Sequence, residues 1–186
     1  MPIQIRPITR YQHGNLVPTQ DTLAQEAPIA LIYNGISHAV IMATPQDIPQ
    51  LALGFSISEG ILQRPSQLYD SEIVSTPQGI EARLEIASEC FAALKQRRRT
   101  LNGRTGCGLC GIDSLTAAQP NIAPVARSLK IPASHINQAL AQFDQHQPLR
   151  QQTGSLHAAA WVEGAQIQAS YEDIGRHNAL DKLIGH

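Results

Sequence analysis

Ile29-Ala30-Leu31-Ile32-Tyr33-Asn34-Gly35-Ile36-Ser37-His38-Ala39-Val40-Ile41 consists of two β-prone runs joined by an Asn-Gly pair. That pair is the strongest short-range hairpin signal, since both turn positions need positive φ, which Asn and Gly tolerate. The surrounding span, residues 27–46, carries no charge and is nominally long enough to cross a membrane. Asn34-Gly35, Ser37, His38 and Pro45 interrupt it, so it reads as strands. On the C-terminal side, Thr44-Pro45 and Asp47 supply helix-start chemistry, and Pro49 fits only a first turn. Ile48, Leu51, Ala52 and Phe55 recur at near-helical spacing, with Gly60 as a stop.

The same alternation continues down the chain. Ile73 to Ile86 reads as a second hairpin turning at Pro77-Gln78-Gly79, and Ser88 to about Arg99 as a helix. Ser134 is placed to cap a helix bearing Ile136, Leu140 and Phe143, and Gln145 to Gln152 is polar and loop-like. His157 to Val162 and Ala165 to Ser170 form a third hairpin over Glu163-Gly164. A last helix runs from about Ile174 to Ile184 and stops at Gly185. Hairpins contiguous in sequence and separated by helices define an α/β chain whose sheet is at least partly antiparallel. Two regions are expected: a hairpin-helix-hairpin part over 1–100, and a cysteine loop with a further α/β part over 101–186, which one continuous domain can include.

At 186 residues the chain should remove roughly 70% of its unfolded surface from water, so it folds without a disulfide or metal. A formal net charge of −1 argues against a dedicated nucleic-acid binder. Met1-Pro2-Ile3-Gln4-Ile5-Arg6 lacks the cationic-then-apolar pattern of a signal peptide. Three cysteines, one close pair and a distant Cys90, make a poor disulfide framework and suit a reducing compartment, so the cytoplasm is expected.

The chemistry concentrates in Gly103-Arg104-Thr105-Gly106-Cys107-Gly108-Leu109-Cys110-Gly111, where four glycines in nine residues dictate a loop. Gly106-x-Gly108-x-x-Gly111 formally matches a dinucleotide fingerprint, but no apolar strand precedes it and no acidic residue lies between Asp113 and Asp144. A zinc knuckle needs four ligands, and no second Cys-x-x-Cys exists. A thioredoxin-like pair wants its first Cys at a helix N-terminus. Two reduced cysteines in a turn is the plain alternative, although buried structural cysteines keep apolar neighbours. The remaining reading is a thiol that carries sulfur, because a thiolate on an open loop can attack a persulfide and accept its outer sulfur. Lys95, Arg97, Arg98, Arg99 and Arg104 put five of the fourteen cations within ten residues. Their charge would favour the ionised thiol, or simply solvate a helix face.

A second constellation is Ser170-Tyr171-Glu172-Asp173-Ile174-Gly175-Arg176-His177-Asn178-Ala179-Leu180-Asp181-Lys182. Asp173, His177 and Asp181 are spaced by four, so a helix would place them on one face. Capping explains the acidic pair but not the polar run Gly175 to Asn178. His157, after Thr153-Gly154-Ser155-Leu156, is a third candidate.

At these residues the chain resembles the formate dehydrogenase accessory protein family, FdhD. The likeness rests on 103–111, on Thr153-Gly154-Ser155-Leu156-His157-Ala158-Ala159-Ala160, and on Glu172 to Lys182. A fourth block is Thr44-Pro45-Gln46-Asp47 with Leu51-Ala52-Leu53-Gly54-Phe55 and Ser58-Glu59-Gly60. The resemblance implies a cytidine-deaminase-like three-layer α/β/α sandwich with a mixed sheet and no deaminase zinc site. It implies a sulfurtransferase-type carrier with a cysteine persulfide on Cys107 and Cys110 as companion. Sulfur would come from a cysteine desulfurase and pass to the bis-molybdopterin guanine dinucleotide form of the molybdenum cofactor, ahead of formate dehydrogenase. Arg104, His157, Asp173, Arg176 and His177 would line the cofactor site, with no permanently bound metal. The family continues beyond the Asp181-Lys182 helix, whereas this chain stops at His186, so an incomplete sandwich with an exposed edge, open to homodimer formation, is expected. The alternatives are a zinc-stabilised binding module without chemistry and an inactive truncated homologue.

Overall fold

A computed structural model describes residues 1–101, 124 and 130–186, with side chains in the helix ending at Leu101 described as far as Gln96. The Asn34-Gly35 hairpin forms as read. β3 (Ala27–Tyr33) and β4 (Ile36–Ala43) pair antiparallel. Asn34 has φ 43° and Gly35 φ 80°, the left-handed pair that a two-residue turn demands. The second hairpin is longer than expected, β5 (Leu68–Thr76) with β6 (Gly79–Ile86).

β6 inserts beside β3 in parallel, giving a four-stranded mixed sheet in the order β4-β3-β6-β5. Ile29, Leu31 and Tyr33 alternate onto one face together with Ala82, Leu84 and Ile86. α1 (Ile48–Ser58) covers that face with Leu51 and Ala52, and α2 (Ser88–Leu101) adds Cys90 and Leu94. Each fully buried aliphatic side chain here contributes about 1.5–3 kcal/mol. The Asn34 amide ties the β3–β4 turn to the end of β6, donating to the Ile86 carbonyl at 3.1 Å and accepting its N–H at 2.7 Å.

Upstream stands an element that the sequence reading did not anticipate. β1 (Ile3–Gln12) and β2 (Asn15–Ala24) form a separate antiparallel ribbon turning at His13-Gly14. Downstream come α3 (Ala133–Phe143), α4 (Pro148–Thr153), the hairpin β7 (His157–Glu163) with β8 (Gln166–Asp173), and α5 (Arg176–Ile184). Among the described residues β7–β8 is a sheet of its own. α5 bridges the two halves by packing on β7 and β8 on one side and on α1 on the other.

Four local expectations change. Asp47 sits at the N-cap of α1 in a left-handed conformation, but its side chain does not cap, and Ser134 falls inside α3 behind Pro132. The polar stretch 145–152 runs into α4 because Glu172, far away in sequence, accepts the helix's first free N–H groups. α5 begins at Arg176 rather than Ile174, since the Asp173 carboxylate captures the Gly175 N–H at 2.8 Å. Gly185 does end α5, at φ −83° rather than in the left-handed region. Glycine is required there because a Cβ would strike the Gln50 backbone of α1.

Candidate functional site

The second constellation folds into the junction of β4, β8 and α5. Asp173 ends β8 with 0% exposure, so the spacing that suggested one helical face for Asp173, His177 and Asp181 holds only for the latter two. Lys182, also 0% exposed, reaches Asp173 Oδ2 at 2.8 Å. Its other two protons go to the carbonyls of Thr44 at 3.2 Å and Glu172 at 3.1 Å. A buried ammonium is tolerable only when its donors are satisfied, and here all three are.

The carboxylate is equally occupied. Asp173 Oδ2 also accepts the Thr44 N–H at 2.9 Å, while Oδ1 accepts the Gly175 N–H and, at 3.1 Å, Asn178 Nδ2. Asn178 Nδ2 donates in addition to the Met42 carbonyl at 2.8 Å, and Thr44 Oγ1 accepts the Ile174 N–H at 3.2 Å. A Cβ on Gly175 would lie 2.8 Å from Asn178 Nδ2, so any larger residue there would displace that amide.

On the surface of this locked turn stand Arg176 and His177, both exposed. His157, also exposed, begins β7 directly opposite Asp173 in the hairpin register. The three side chains therefore emerge at one end of the β7–β8 hairpin, around the N-terminus of α5. Arginine, two imidazoles and unpaired helix N–H groups together suit an anionic ligand. His157 also lines a cavity of about 450 Å³ with Arg150, Gln147 and Gly154. Arg150 is oriented there by hydrogen bonds to Asp144 Oδ1 and Gln147 Oε1, each 3.2 Å.

Asp181 lies one turn beyond His177 and accepts the Ser58 hydroxyl at 2.7 Å. Burial pushes its carboxyl above the usual range, aided by Glu59 and opposed by the Ser58 hydrogen bond and His177. Cys90, on the core-facing side of α2, is a free thiol whose pKa is raised by burial first and by Glu89 next. Cys107, Cys110 and Arg104 lie outside the described residues. Among the described residues no set of three or more His, Cys, Asp or Glu side chains is arranged to hold a metal, and no helix is long and apolar enough to cross a membrane.

Sequence reasoning singled out Asp173, Arg176, His177 and His157, and the fold gathers them at one corner. It quoted Lys182, Thr44 and Asn178 but assigned none of them a place in the site. The available signal was helical spacing: Lys182 follows Ala179 by three, and that face of α5 is buried.

The architecture is a mixed α/β one with a four-stranded sheet, a helix-bridged hairpin and a tightly bonded strand-to-helix turn. It matches, with TM-score 0.69 and 20% identity, the crystal structure of a protein described as a formate dehydrogenase accessory protein from Desulfotalea psychrophila, covering 100% of this chain and 66% of that one. Residues 24–186 match the model of the FdhD/NarQ family, and the chain belongs to that family. It is 50% identical over 179 residues to the sulfur carrier protein FdhD of Cupriavidus necator, covering 96% of this chain and 62% of the relative. With the protein of the same name from Acinetobacter baylyi it shares 50% identity over 167 residues, covering 89% and 61%. The FdhD of Chromobacterium violaceum is 49% identical over 183 residues, covering 96% and 67%. The chain thus spans about three-fifths to two-thirds of the length of these relatives.

Proposed function

We propose that this chain carries sulfur as a persulfide on Cys107. The observation that supports it most is the near 50% identity, over almost the whole chain, to proteins named sulfur carriers, in a sequence that holds Cys107 and Cys110 on a glycine-rich segment after α2. The Cys107 thiolate attacks the outer sulfur of a persulfide on a cysteine desulfurase. A new S–S bond forms to Cys107, the donor's S–S bond breaks, and the donor cysteine leaves as thiolate. No external oxidant or reductant is needed. Arg104 favours the attacking thiolate by its charge, and Cys110 assists release.

The acceptor in this reading is the molybdenum cofactor in its bis-molybdopterin guanine dinucleotide form, destined for formate dehydrogenase. Its pyrophosphates are the anions for which the corner of His157, Arg176 and His177 is suited. The deaminase-like three-layer sandwich and a cytoplasmic location belong to the same proposal. Mass spectrometry after incubation with desulfurase and cysteine tests it. The proposal requires an added sulfur atom that persists in Cys110→Ala and disappears in Cys107→Ala. The opposite pattern, or stoichiometric zinc with both thiols blocked, overturns it.

A further inference from the structure

Lys182, Thr44 and Asn178 are not needed to define an exposed cationic corner, yet they converge on Asp173 beneath it. A buried ion pair is a costly way to hold a fold together, since a well-packed apolar pair of similar volume is often as stable or more so. What such a pair does supply is direction. Lys182 on α5 is bonded to Thr44, the residue that follows β4, through its carbonyl and to β8 through Glu172 and Asp173. Asn178, one position beyond His177, is bonded to β4 through the Met42 carbonyl and to β8 through Asp173 Oδ1. α5 is thereby pinned to β4 and β8 within one turn of Arg176 and His177 by Asn178, and again about a turn further on by Lys182. Asp173 has Lys182, Thr44, Gly175 and Asn178 on its two oxygens and no surface of its own, so its influence on a ligand passes through the turn it holds.

We propose that Lys182 and Asn178, acting through Asp173, are positioning residues that set the orientation of Arg176 and His177 for an anionic, phosphate-bearing acceptor. This rests on the acceptor reading above. An exposed arginine on a freely rotating turn pays most of its binding energy back as ordering entropy, whereas a pre-set turn does not. The network supplies that pre-setting from beneath, without any contact to the ligand.

The test uses guanosine diphosphate, the nucleotide half of the proposed acceptor, with calorimetric binding as readout and persulfide loading of Cys107 as internal control. Asn178→Ala, at a half-buried position, removes the bonds to Met42 and Asp173 while leaving the core intact. It is expected to weaken nucleotide binding at least ten-fold with loading unchanged. The double variant Lys182→Met/Asp173→Leu replaces the ion pair by an apolar one. A positioning role predicts a cooperatively folded protein that loads sulfur yet still binds nucleotide at least ten-fold more weakly. A purely structural role predicts that recovery of stability restores binding, and that result overturns the inference. Wild-type affinity in Asn178→Ala overturns it as well, and this holds even where the double variant does not fold. Absence of nucleotide binding by the wild type, in contrast, sinks the acceptor reading itself and this inference with it.

Discussion

Replacing Gly54 by alanine sets two effects of opposite sign against each other. In the middle of a helix, alanine is favoured over glycine by about 1 kcal/mol, so propensity alone predicts a more stable protein. In this fold Gly54 faces α5, and a Cβ there would collide with the Asp181 carbonyl and stand 2.9 Å from the Gly185 nitrogen. Gly185 answers with an equally close approach to the Gln50 backbone, so the two helices touch main chain to main chain. Neither obstruction is a side-chain end that can swing aside. Overpacking typically costs about 1–3 kcal/mol, and rigid backbone on both sides puts this site at or above the upper end. Net destabilisation of about 2 kcal/mol follows, equivalent to a melting temperature lower by roughly 4–8 °C in a chain of this size. Urea denaturation followed by circular dichroism reads the change as a lower midpoint with the slope preserved. A Gly54→Ala protein as stable as the wild type, or more so, would refute the helix contact on which the placement of α5 depends.

Asp181 gives a pH-dependent outcome. Its folded-state pKa is raised, chiefly by burial, so the native state holds the proton more tightly than the unfolded chain does. The resulting stability is present below the unfolded pKa of about 3.9 and is lost as pH rises through the folded value. Asp181→Asn should abolish that segment, so the stability of the wild type relative to the variant falls as pH rises across the acid range; parallel profiles count against the burial argument. Glu172 accepts the N–H groups of Leu149 at 2.9 Å and Arg150 at 2.7 Å, closing the start of α4 from a distant strand. Glu172→Gln turns an amide donor toward one of them and should cost about 1.5–3 kcal/mol, with faster hydrogen exchange at Leu149 and Arg150. Unchanged protection at those two amides would contradict the cap.

What the sequence disclosed and concealed follows the reach of each interaction. The 29–41 hairpin was legible because its turn chemistry is local, as was the helix of Leu51, Ala52 and Phe55. The parallel insertion of β6 beside β3 was not, because a register spanning some fifty residues leaves no short-range pattern. The β1–β2 ribbon was hidden by Pro7 and Pro18, which normally argue against a strand interior. A two-stranded ribbon has two open edges, and proline is tolerated where no partner strand needs its missing N–H. In the site, Arg176 and His177 announced themselves as polar residues opening a helix. The Asp173–Lys182 pair did not, since nine positions match neither strand nor helix spacing until the turn at Gly175 is known. α4 was concealed for the same reason, its cap being supplied from β8.

One sulfur atom in transit can be followed in a single-turnover experiment. The protein is incubated with desulfurase and radiolabelled cysteine, separated from both, and then mixed with the guanine dinucleotide form of the molybdenum cofactor. The label is expected to be bound through Cys107, reducible by thiols, retained until the acceptor arrives and absent from Cys107→Ala. Label that enters Cys107→Ala as readily as the wild type, or that stays on the protein whatever acceptor is offered, would contradict it.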